Sequence, residues 1–148
     1  MKKSRVLIAA LTAAGLLTGC TVIRELPADG RQNEPRGAEY ELCRTLLKAF
    51  IRNDAREFLA HVPPEAREQF NEKSFAATRA SVLESMGEPI SFQYVTALEL
   101  TTFTPYIWKI RFRRTDLKTD KEFTSELLFR ILVGKLDGKP VLISFQFL

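Results

Sequence analysis

The sequence predicts an α+β fold in which N-terminal helices pack on one face of a four-stranded curved antiparallel sheet. Three observations predict it. Apolar residues recur at helical spacing between Glu39 and Met86, the period drops to two after Gly87, and the alternating runs that follow are consistently apolar on one side. A length of 148 residues with 45% hydrophobic and 27% charged content fits one domain with appendages, and excludes disordered or collagenous chains.

The first 19 residues have the layout of a secretory signal: a basic start (Lys2, Lys3, Arg5), an apolar run from Val6 to Leu17, then Leu17-Thr18-Gly19-Cys20. The run is shorter than the about 20 apolar residues of a spanning helix. These four residues resemble the lipobox of bacterial lipoproteins at every position. The resemblance implies that residues 1–19 are removed and that Cys20 carries a diacylglyceryl thioether and an N-acyl chain such as palmitate. The membrane is then a partner through lipid on Cys20, and the location is the bacterial cell envelope. Thr21 stands where an Asp would retain such a protein in the inner membrane under the enteric rule, so the outer membrane facing the periplasm is expected. Without Lys2, Lys3 and Arg5, 19 of the 22 basic residues remain against 18 acidic ones, which removes any case for nucleic acid from charge alone.

Residues 20–37 are expected to form the lipidated Cys and a flexible tether, because Pro27, Gly30, Pro35 and Gly37 punctuate a stretch without periodicity. Such a coil reaches roughly 20 to 25 Å. The domain is then 38–148. From Glu39 to Ile51, Leu42, Cys43, Leu46, Leu47, Phe50 and Ile51 form one apolar stripe, which predicts an amphipathic helix. Asn53-Asp54 interrupts it, and Asp54 suits the N-cap of a short second helix with Phe58 and Leu59 inside, closed by Val62-Pro63-Pro64. A third helix starts at Pro64 or Asn71 and ends at Met86, with Gly87 as its C-cap.

Four alternating runs follow. Their inner sets are Ile90 to Leu100, Tyr106 to Phe112, Phe123 to Val133 and Val141 to Phe147, each taken at every second residue. For the last turn, a two-residue loop at Asp137-Gly138 sets Phe129 against Gln146 and mismatches the faces. A three-residue loop, Leu136-Asp137-Gly138, pairs Val133 with Val141, Ile131 with Ile143 and Phe129 with Phe145, and is the expected register.

The order of elements, the Asn53-Asp54 break followed by Phe58-Leu59, and the Gly87-Glu88-Pro89-Ile90 entry to the first strand resemble the NTF2-like (cystatin-like) superfamily, especially its small exported lipoproteins of unknown function. The resemblance covers about residues 38 to 148. It implies a cone between helix and curved sheet, where enzymes of the superfamily such as ketosteroid isomerase and scytalone dehydratase place Asp, His or Tyr. Here the inner polar set is Tyr94, Thr96, Tyr106, Trp108 and Ser125. These residues orient a ligand but lack an acid or base partner for moving protons.

The outer face carries Val95, Ile107, Leu128, Leu132 and Leu142 among Lys109, Arg111, Glu126 and Arg130, the pattern of a dimer or envelope-protein interface. His61 has no neighbour at metal-ligand spacing, Cys43 reads as a buried inert thiol, and no cofactor motif is present. Arg111, Arg113 and Arg114 belong to a solvated strand, because residues 91 to 148 hold 9 basic against 6 acidic side chains. The expectation is therefore a membrane-anchored, non-catalytic binding or protein-interaction module. A carrier of a small apolar ligand in the cone is the alternative, and an enzyme with a helix-borne acid, Asp54 or Glu72, is a remote third.

Overall fold

Gly87 is the point at which the helical layer becomes the sheet. Its φ is +87°, and an added Cβ would collide with the Arg113 carbonyl oxygen, so both conformation and space require glycine there. The protein is described by a computed structural model over residues 23–27 and 35–148. The expected signal segment, the lipid-bearing Cys20 and Thr21 lie outside the described residues.

Three helices precede Gly87: α1 (Ala38–Arg52), α2 (Ala55–Ala60) and α3 (Glu72–Met86), with a single 3-10 turn at Pro64–Ala66. Their ends follow the expected chemistry. Asp54 Oδ1 accepts the Glu57 N–H at 2.9 Å, and Asn71 and Ser74 exchange bonds in a capping box. Asn53 ends α1 in the left-handed conformation, and Arg79 of α3 donates to the Phe50 and Ile51 carbonyls, each at 3.1 Å. A cation thereby adds to the Asn53 N–H on the Phe50 carbonyl and meets the Ile51 carbonyl at the negative end of α1.

The sheet has five strands in the order β1 (Arg24–Leu26), β2 (Glu88–Ala97), β3 (Phe103–Asp116), β4 (Lys121–Leu136) and β5 (Lys139–Phe147). The four expected strands form an antiparallel meander, and the fifth comes from the segment expected to be tether. β1 pairs parallel with β2, Arg24 opposite Ser91 and Leu26 opposite Gln93. Ile23 packs on the core, and Glu25 accepts from Arg44 at 2.8 Å and pairs with Lys48 at 3.1 Å. Three residues are too few to show a period, which is why this strand is invisible in the sequence.

Bulges bend the sheet and correct the expected faces. β2 has register shifts between Pro89 and Ser91 and between Tyr94 and Thr96, so Pro89, Phe92, Tyr94 and Ala97 face inward. Thr96, expected inside, pairs with outward-facing Ile107. Leu98 and Leu100, also expected inside, lie beyond the strand end and are exposed. The last turn is the two-residue type I′ form, with Asp137 at φ 50° and Gly138 at φ 74°, rather than the three-residue loop. A shift between Leu132 and Val133 makes Ile143 the bulged residue and repairs the mismatch, pairing Phe145 with Ile131 and Phe147 with Phe129. Leu142, expected on the outer face, is therefore buried at 5% exposure, while Ile143 is 55% exposed and lies against Gly134.

The core sits between α1 and the concave side of the sheet. Phe50 contributes its centre, with ring centroids 5.7 to 6.5 Å from Phe58, Phe75, Phe129, Phe145 and Phe147. The bulge at Ile143 has a measurable consequence. Leu142→Ala is expected to cost about 2 to 5 kcal/mol and Ile143→Ala less than about 1 kcal/mol, measured by denaturant unfolding. A three-residue loop would give the reverse order.

Candidate functional site

The inner site is an aromatic box closed from above by the first helix. Tyr94 and Trp108 are cross-strand partners, and Tyr40 of α1 drops between them, stacking on Trp108 at 5.4 Å and meeting Tyr94 edge-on at 5.5 Å. Phe92 and Tyr106 complete the walls. Trp108 is fully buried, and its indole N–H meets no hydrogen-bond acceptor among the described residues. Tyr94, Tyr106 and Trp108 therefore lie together on the inner face as expected, while Thr96 lies outside. Tyr40, which fills the cone, stands outside the apolar stripe expected from Leu42 to Ile51 and carries no signal of its role in the sequence.

Polar chemistry gathers only at one rim of this box. Tyr106 donates its hydroxyl to Glu39 Oε2 at 3.2 Å, and Lys135 Nζ approaches Glu39 Oε1 at 2.9 Å. Glu39 is thus a helix-borne acid beside a phenol, but both its oxygens are engaged in joining α1 to β3 and β4. Asp54 and Glu72, the acids expected from the sequence, are exposed at the starts of α2 and α3. Burial, followed by the Glu39 charge, pushes the Tyr106 phenol well above its ordinary range. The same two causes raise the Cys43 thiol, so it stays protonated and unreactive. His61 stands at the end of α2, 3.5 Å from Glu57. Among the described residues, no three His, Cys, Asp or Glu side chains are grouped to hold a metal ion.

Three clefts lie outside the box. The first, about 710 Å³, opens between the end of α3 (Ser85, Met86) and the overhanging end of the β3–β4 hairpin, and includes Ser125. Ser125 thus lines a surface cleft rather than the cone. The second, about 430 Å³, lies between α2 and the start of α3, with Glu72 on its wall. The third, about 370 Å³, runs along β5 beside Val62 and Phe70. None of the three is lined by Tyr94, Tyr106 or Trp108.

The outer face of the sheet is a further candidate. Val95 and Leu128 are 42% and 40% exposed, Ile107 and Leu132 are half-buried between them, and the bulge adds Ile143 in place of Leu142. Glu126 accepts from Arg111 at 2.8 Å and lies 3.5 Å from Lys109, whereas Arg130, beside Ile107 on the same face, has a buried Nε that meets no acceptor among the described residues. The Arg111 hydrogen bond is the main reason the Glu126 carboxyl is held below its usual range.

The raised Tyr106 phenol carries a signed pH dependence. Its contribution to stability is complete below the unfolded value of about 10 and is lost as pH rises beyond it, because only the unfolded chain ionises there. Thermal midpoints are expected to fall above about pH 10, and Tyr106→Phe to flatten that alkaline limb. An equally steep fall in the variant would assign the effect to other groups.

No protein-family model matches the sequence, and no curated protein matches it. Solved structures are similar in shape. A ketosteroid isomerase-like protein from Erwinia carotovora atroseptica superposes with a TM-score of 0.54 at 15% identity, over 78% of this chain and 96% of that one. A SEC-C motif containing protein from Rhodopseudomonas palustris gives 0.50 at 18% identity, over 75% and 80%. An NTF-2 like protein of unknown function from Shewanella oneidensis aligns over 72% and 93% at 14% identity with a TM-score of 0.39. At these identities the likeness is one of fold: the chain shares the α+β architecture of the ketosteroid isomerase-like protein, with helices packed on one face of a bent, mostly antiparallel sheet.

Proposed function

We propose that the chain is a lipid-anchored protein of the bacterial cell envelope, facing the periplasm from the outer membrane. Its domain works without catalysis, docking a second copy or another envelope protein on the outer face of the sheet. The observation that carries this reading is the exposure of Val95, Leu128 and Ile143 on the face that also bears half-buried Ile107 and Leu132, where Lys109 and Arg111 are paired to Glu126 and Arg130 keeps an unsatisfied Nε. What supports docking over storage of a small ligand is Tyr40, whose ring occupies the space that a ligand in the cone would need. What supports binding over catalysis is that Glu39 is engaged by Tyr106 and Lys135, and that Asp54 and Glu72 face water.

The anchor follows from Leu17-Thr18-Gly19-Cys20, since two or three acyl chains hold a membrane stably where one is marginal. Among the described residues, no helix is long and apolar enough to cross a membrane. Mass spectrometry of the protein extracted from membranes is expected to find Cys20 at the N-terminus carrying diacylglyceryl and acyl groups, and Cys20→Ser to release the domain into the soluble fraction. An unmodified Cys20 refutes the anchor. For the docking face, Leu128→Glu is expected to weaken association at least about tenfold, or about 1.4 kcal/mol, in light scattering, with the circular dichroism spectrum unchanged. Unaltered association removes this surface.

A further inference from the structure

The start of β1 and the far end of the β3–β4 hairpin lie at the same end of the domain. Arg24 sits beside Ser91, Ser91 beside Arg111, and β1 runs parallel to β2, so β1 begins at the end of the sheet that carries the β3–β4 turn. Cys20 is four residues before Arg24, and a chain of that length spans at most ~14 Å even when fully extended. The hairpin continues six residues beyond Arg111 to Leu117, which is ~20 Å at the rise of a strand. A lipid on Cys20 therefore holds the bilayer within reach of the hairpin, on the side to which the hairpin projects.

The chemistry of the hairpin end suits such a neighbour. Leu117 is 98% exposed at the turn, and Phe123 is 55% exposed on the strand behind it. Arg114 and Lys118 stand on the walls of the same cleft, and Lys121 begins the returning strand. The Asp116 carboxylate is engaged within the turn, accepting the N–H groups of Lys118 at 2.8 Å and Thr119 at 3.2 Å. Glu122 faces Arg113 at 4.0 Å. With Asp116 and Glu122 engaged and Asp120 the remaining exposed acid of the turn, an apolar tip flanked by Arg114, Lys118 and Lys121 matches the boundary between acyl chains and phosphates, where apolar groups sink and Lys and Arg reach back to the headgroups.

We infer that the β3–β4 hairpin is a second, noncovalent membrane contact, in which Leu117 and Phe123 enter the headgroup–acyl boundary of a phospholipid bilayer while Arg114, Lys118 and Lys121 meet lipid phosphates. The inference rests on the lipid anchor proposed above, because one hairpin end buries too little apolar surface to hold a membrane unaided. Its effect is to stand the sheet upright on the bilayer, leaving the outer face open to a partner.

The test uses the full lipid-bearing chain in vesicles of phosphatidylethanolamine and phosphatidylglycerol, with and without brominated acyl chains. Leu117→Trp reports the hairpin end, Leu136→Trp reports the opposite end of the sheet, and buried Trp108 supplies a constant background. The Leu117→Trp signal is expected to shift to the blue on vesicles and to lose intensity to brominated chains, while the Leu136→Trp signal does neither. No shift at the hairpin, or a greater loss in Leu136→Trp, overturns the contact while a lipid-modified Cys20 seen by mass leaves the anchor standing. A blue shift without loss to bromine means that protein covers the hairpin, and overturns the contact as well. An unmodified Cys20 overturns anchor and contact together.

Discussion

The insertion of the aromatic face of α1 into the hollow of a bent sheet is the constraint on which the rest of the structure depends. Tyr40 and Phe50, ten positions apart, place one ring near each end of the hollow: the first meets Tyr94 and Trp108, the second meets Phe129 and Phe147. Removing apolar surface of this size from water stabilises the fold by about 1.5 to 3 kcal/mol per large side chain. It also forces the sheet to curve, because a flat sheet would touch the helix along a single line. The bulges at Ile90, Val95 and Ile143 supply that curvature.

Those bulges also mark where reading the sequence fails. Asp54, Asn71 and Gly87 announce the helix ends because each cap uses a specific side chain, or the absence of one. A bulge uses no particular side chain; it inserts one residue and reverses the faces beyond it. Period-two parity consequently puts Thr96 and Leu142 on the wrong sides, and puts Ile143 inside although it covers Gly134 from outside. The second bulge of β2 does not propagate far, since the strand ends at Ala97. Tyr94 precedes that bulge, and Tyr106 and Trp108 lie on β3, whose alternation is unbroken, so all three keep the interior side.

The candidate sites follow the same division. The aromatic wall of the cone was legible because alternation in β3 is unbroken, but its occupant was not. Tyr40 lies on a helix, where position along a stripe says nothing about depth of insertion. Ser125 has inward parity yet stands beyond the reach of the helices, so it borders open space near Ser85 and Met86. Parity specifies a side of the sheet, and the length of the covering helix decides whether that side is interior.

The edge position of β1 has a mechanical consequence. A protein held by its N-terminal end transmits every pull on that end through Arg24–Leu26 before the force reaches the core. Because this strand lies alongside β2, tension from the anchor proposed above would act along its length and load its backbone bonds together instead of opening them one by one. The Glu25 carboxylate, clasped by Arg44 and Lys48, ties the same segment to α1. The load is thereby shared between sheet and helix, and the aromatic interior is shielded from forces arriving at the leash.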